Sequence, residues 1–113
     1  MKALKIISRI ALWFFLFGLG ANSLVMTVNE DRMPVLADCH GPMCSDYRHV
    51  IIDETTILPS LGDVFVFSSP HNTVSFLSIG DLTMMFGLPV YLIAELLSFF
   101  LRARYLVGNG KGR

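Results

Sequence analysis

The chain has 113 residues, 53% of them hydrophobic, and its nine basic side chains balance nine acidic ones. That length holds at most one small domain, and a mean hydropathy of +0.58 with clustered apolar residues argues against a soluble globule. The balance and the absence of a basic patch exclude a nucleic-acid surface; no nucleotide loop, catalytic triad or Gly-x-Ser-x-Gly turn is present.

Residues 1–9 form a basic stub carrying Lys2, Lys5 and Arg9. Residues 10–28 contain no charge and are long enough to cross a bilayer as a helix. Trp13, Phe14, Phe15 and Phe17 crowd the first half of this run. At 100° per residue, Ala11, Gly18, Ala21, Asn22, Val25 and Asn29 fall near one face. Small residues on one face let another helix approach closely, and Asn22 in such surroundings needs a partner. The rival reading is a cleaved signal peptide, with Gly18, Gly20 and Ala21 marking the cleavage site. Against it, the apolar run continues through Leu24-Val25-Met26 before any charge appears.

Residues 29–77 read as a polar loop with turn signals at Met33-Pro34 and Gly41-Pro42. His49 to Asp53 is a candidate short strand. Cys39 and Cys44 bracket His40-Gly41-Pro42-Met43, a separation that permits a disulfide. A disulfide is the expected state; free thiols and a metal site with His40, His49 or His71 are the alternatives, although the spacing matches no zinc pattern. Further on, Ser60-Leu61-Gly62-Asp63 resembles Ser78-Ile79-Gly80-Asp81. Each copy reads as a helix start, with the serine hydroxyl capping a backbone N–H and the acid at the positive helix end. The first copy opens only Val64-Phe65-Val66-Phe67, so a short interfacial helix or a strand is expected there. A catalytic or ion-binding pair of Asp63 and Asp81 is the alternative to capping.

Residues 78–101 make the second span, with Pro89 expected to kink it near Met85 to Leu88. From Thr83 to Leu101 its one charge is Glu95, and an ionisable group within a span is a functional hypothesis by default. Glu95 shares a stripe with Gly80, Thr83, Gly87, Tyr91, Ser98 and Arg102. It is read either as a structural carboxylate pairing with Arg102 or Arg9, as an intersubunit salt bridge, or as a proton-relay group. Residues 102–113 form a basic tail.

Seven of the nine basic residues lie outside 29–81, and eight of the nine acidic ones lie inside it. Basic flanks mark the cytoplasmic side, which predicts both termini in the cytoplasm. The fold expected is an all-α membrane hairpin of two transmembrane helices, with an extracytoplasmic loop containing a short interfacial helix or strand.

Asn22, Met33-Pro34-Val35, His49, Thr56, Leu61-Gly62-Asp63, and Ser78-Ile79-Gly80-Asp81 leading into a span with Gly87 occur here in one order. This pattern resembles a family of small bacterial membrane proteins classed only as a domain of unknown function, over most of residues 16–95. The resemblance implies no activity. Members tend to be longer with further spans, which implies a short form here; the cysteine pair is not part of the pattern.

The function expected is a non-catalytic accessory or structural subunit of a larger complex in the bacterial inner membrane. Its partners are the bilayer and that complex, through Gly18, Asn22, Gly87, Tyr91 and Glu95. No cofactor, metal or small-molecule substrate is expected. The alternative is an oligomeric transporter or channel component using Glu95 and Asn22, for which so few polar residues within the spans are thin support.

Overall fold

The two apolar runs form long helices that lie antiparallel against each other. The computed structural model describes residues 2–36, 48–68, 70 and 74–111. Helix α1 spans Lys2–Val28 and helix α2 spans Ile79–Gly110. Both are long and apolar enough to cross a membrane. Only 22% and 17% of their most apolar stretches are buried within the chain, whereas the core helix of a soluble protein is mostly covered. At about 1.5 Å per residue, α2 is roughly 48 Å long, more than a ~30 Å hydrocarbon core requires.

Both helices exceed the spans expected from hydropathy. The basic stub is already helical from Lys2, and α2 continues past Arg102 to Gly110. Leucine, arginine and alanine between 101 and 106 are good helix formers, so the charges that end the apolar run do not end the helix. α2 also runs through Pro89, whose missing N–H leaves the Met85 carbonyl without its helical donor.

The seam between the helices is made of small residues. Ser8, Ala11, Gly18, Ala21 and Val25 are buried on α1; Gly80, Gly87, Ala94 and Ser98 are buried on α2. The α1 face anticipated from spacing is therefore the packed one. On α2, Ala94 occupies the centre of the seam and Glu95 stands exposed at its edge. A Cβ added to Gly87 would lie 2.7 Å from the Ala11 carbonyl oxygen and 2.7 Å from the Phe15 nitrogen. One added to Gly18 would strike the Gly80 carbonyl and lie 2.7 Å from Met84 Cγ. Backbone meets backbone at both crossings, the geometry that small residues permit.

The connecting segment contains strands, so the architecture is not all-α. Strands β1 (Met33–Val35) and β2 (His49–Ile51) pair in parallel, Met33 opposite His49 and Val35 opposite Ile51. Met33-Pro34, read from sequence as a turn, lies within β1. Proline is tolerated because β1 uses Met33 and Val35 toward β2: the Met33 N–H donates to the Arg48 carbonyl, and the Ile52 N–H to the Val35 carbonyl. The Pro34 carbonyl points the other way and accepts the Asp63 N–H at 2.7 Å. A 3₁₀ turn at Pro59–Leu61 precedes an antiparallel hairpin of β3 (Phe65–Ser68) and β4 (Val74–Leu77). Val35 is fully buried, with Phe76 of β4 packed on it.

The first Ser-x-x-Asp copy does not cap a helix, which corrects the reading of Ser60 and Asp63. Pro59 opens a single turn whose N-cap position is Leu58, and Gly62 is already extended. The Asp63 N–H goes to Pro34 rather than to Ser60, and the Val-Phe run that follows pairs as a strand.

Candidate functional site

Three segments converge where α1 ends and α2 begins. The second Ser-x-x-Asp copy is a full capping box. Ser78 Oγ accepts from the Asp81 N–H at 3.0 Å, and Asp81 Oδ2 accepts from the Ser78 N–H at 3.1 Å. Asn22 of α1 closes the cluster. Its Oδ1 accepts from Ser78 Oγ at 2.7 Å, and its Nδ2 donates to Asp81 Oδ1 at 2.7 Å. Ser78 is completely buried, so these bonds replace water that cannot enter. Gly80 makes room for them: a Cβ there would strike the Asn22 amide, with Cγ at 2.7 Å. The Asp81 carboxylate sits in the first turn of α2, where the helix dipole favours negative charge.

A second carboxylate lies beside this cap. Asp63 is 6% exposed. Its Oδ2 is 3.7 Å from His49 Nε2, and its Oδ1 is buried without a hydrogen-bond partner among the described residues. Burial and then the Asp81 charge push the Asp63 carboxyl up from its ordinary 3.8 to about 6, while His49 pulls it back. The two aspartates therefore have different roles. Asp81 is spent on capping; Asp63 is a buried group whose carboxyl is pushed up to about 6. The sequence placed both on helix starts, and nothing local reveals that residue 63 lies across β1 from residue 49. Gly62 lets this happen, since a Cβ there would lie 2.5 Å from the Pro34 oxygen and 3.0 Å from Pro34 Cβ.

Asn29 ties the loop to α1. Its Nδ2 donates to the Val25 carbonyl at 2.7 Å and to the Ile57 carbonyl at 2.8 Å, and its Oδ1 accepts the Ile57 N–H at 3.0 Å. Glu30 and Asp31 then turn the chain with φ near +60° (59° and 60°), and the Asp31 N–H caps the Met26 carbonyl at 2.8 Å.

The residues expected to face a partner protein divide as follows. Gly18, Asn22 and Gly87 face the other helix of the same chain. Glu95 accepts a hydrogen bond from the Ser8 hydroxyl, a pairing that the sequence did not suggest. Tyr91 is half-buried one turn from Gly87. Cys39 and Cys44 lie outside the described residues, as do His40 and His71. Among the described residues, no group of three or more His, Cys, Asp or Glu side chains is placed to hold a metal ion.

Asn22, Met33-Pro34-Val35, His49, Gly62-Asp63 and Ser78 to Asp81 thus lie in one region of the fold. No curated protein and no solved structure matches the chain. The family of unknown function DUF5317 matches residues 6–93, and the chain belongs to that family.

Proposed function

We propose that this chain is a small protein of the bacterial inner membrane, crossing it twice with both termini in the cytoplasm. Its role is that of a non-catalytic accessory subunit in a larger membrane complex. The charge split supports the orientation, and the uncovered apolar surfaces of α1 and α2 support insertion. The β3–β4 hairpin exposes Phe65, Val66 and Phe67 and rests on the outer membrane–water boundary.

The observation that carries the accessory reading over the transport one is the state of the seam between Asn22 and Glu95. Both polar atoms of Asn22 are engaged by Ser78 and Asp81. Toward Glu95 the backbones close at Gly87 against Ala11 and Phe15. A polar path between the two groups has no room there. The surfaces left for a complex are the outer ones bearing Trp13, Phe17, Phe86, Phe99 and Phe100.

Gentle detergent extraction from native membranes followed by native-mass analysis tests this. Co-migration with a larger hetero-assembly is expected. A homo-oligomer alone, or a monomer alone, would overturn the accessory role.

A further inference from the structure

The terminal end of the helix pair holds a pocket that the accessory role does not use. It has a volume of about 370 Å³ and, beside Phe99, is lined by Lys5, Ser8, Arg9, Glu95, Ser98 and Arg102. That volume falls within the ~300–1,000 Å³ range of small-ligand sites. Three cations face one carboxylate, so the pocket carries a net charge of about +2. Among the described residues, Lys5, Arg9 and Arg102 form no ion pair with a protein carboxylate. Glu95 is turned toward Ser8, whose hydroxyl it accepts. Ser98 is 8% exposed, and its hydroxyl has no protein partner among the described residues. The pocket thus offers unpaired cations, a recessed hydroxyl and one acceptor, a set suited to a phosphate bearing hydroxylated substituents.

What lies beyond the pocket sets the rest of the ligand. Lys5, Arg9, Leu12 and Leu16 follow each other at helical spacing on α1, and Arg102, Glu95, Leu92 and Leu88 do so on α2. Leu16, Leu88 and Leu92 are 44%, 41% and 55% exposed. Charge therefore gives way to open leucine surface within about two turns, moving from the helix ends toward mid-span.

We propose that this pocket binds the headgroup of an anionic glycerophospholipid from the leaflet that holds both termini, with its acyl chains along the leucine surface. Arg9 and Arg102, one from each helix, take the phosphate; Lys5 adds charge, and Glu95 accepts a headgroup hydroxyl. Basic pockets between spans on the cytoplasmic side are suited to such headgroups. This inference rests on the membrane reading given above.

The test uses the full chain, purified in neutral detergent and stripped of lipid. Binding of short-chain phosphatidylglycerol, phosphatidylcholine, phosphatidylethanolamine and inorganic phosphate is measured by native mass spectrometry. Phosphatidylglycerol is expected to bind at least about tenfold more tightly than the other three, a factor within reach of two charge-assisted contacts. The double variant Arg9→Gln/Arg102→Gln is expected to lose that preference with its helix content unchanged. Arg104→Gln/Lys111→Gln, in the basic tail, is expected to keep it. Equal binding of phosphatidylglycerol and the zwitterionic lipids would overturn the proposal. So would equal loss in the two double variants, which would mean diffuse attraction, or inorganic phosphate binding as tightly as the lipid. Alkaline carbonate extraction of membranes, run in parallel, tests the underlying reading. Release into the soluble fraction would refute membrane insertion itself, whereas retention with no lipid preference would refute only the pocket.

Discussion

Gly87→Leu is expected to separate α1 from α2, while Gly20→Leu leaves them packed. The two glycines lie on long apolar helices but in opposite surroundings. A Cβ at position 87 meets the Ala11 oxygen and the Phe15 nitrogen at 2.7 Å, whereas one at position 20 meets nothing within 4 Å. Relief at position 87 requires movement of a whole helix, because the obstruction is backbone and not the end of a flexible side chain. Overpacking typically costs about 1–3 kcal/mol, and a leucine against backbone belongs at the upper end of that range. Helix-pair stability, followed by titration with a denaturing detergent, should fall by that amount for Gly87→Leu. It should hold or rise for Gly20→Leu, where an exposed helical glycine is replaced by a better helix former. Equal behaviour of the two variants would mean that the helices do not cross at Gly87.

Asp63→Asn is expected to stabilise the protein above neutral pH and to flatten its pH dependence. The Asp63 carboxyl is raised to about 6 in the folded chain, against an ordinary 3.8. Between those values the folded chain holds a proton that the unfolded chain has released. The neutral acid's contribution is thus fully present below pH 3.8 and is lost as pH rises through about 6. The shift corresponds to roughly 3 kcal/mol at most, at about 1.4 kcal/mol per pKa unit. Asparagine keeps the shape and removes the charge, so unfolding measured from pH 4 to 8 should show a decline in the parent chain and little in the variant. A variant less stable than the parent at pH 8 would mean that the ionised carboxylate is a favourable partner of His49 in the folded state.

The helices and the buried face of α1 were legible because periodicity is local. A residue at every third or fourth position reports one face whatever it packs against. The cap at Ser78 was legible for the same reason: Ser78 and Asp81 meet within one turn. Asn22 was recognised as needing a partner, but its distance of 56 residues from Ser78 hid which one. The two Ser-x-x-Asp copies look alike, yet their fates differ. Pro59 and Gly62 limit the first to one turn, and Pro34, nearly thirty residues earlier, captures the Asp63 N–H. Three-residue strands such as β1 carry too few side chains for alternation to show, so Met33-Pro34-Val35 was readable only as a turn. On α2 the expected stripe holds Gly80, Gly87 and Ser98 of the observed seam and lacks only Ala94, whose place Glu95 takes as the sole charge in its run. Ser8 lies in the basic stub, before the apolar run on which the α1 face is read.

The central claim is that the small-residue faces of α1 and α2 meet within one chain rather than between chains. Cysteine cross-linking in native membranes tests it most directly, in a background carrying Cys39→Ser and Cys44→Ser. The pair to introduce is Ser8→Cys with Glu95→Cys, since those two side chains are hydrogen-bonded to each other in the structure. Mild oxidation is predicted to join them within a single chain, giving a monomer of altered mobility that reductant restores. A disulfide-linked dimer as the main product of the same pair would contradict the account, because the seam would then belong to two copies of the chain.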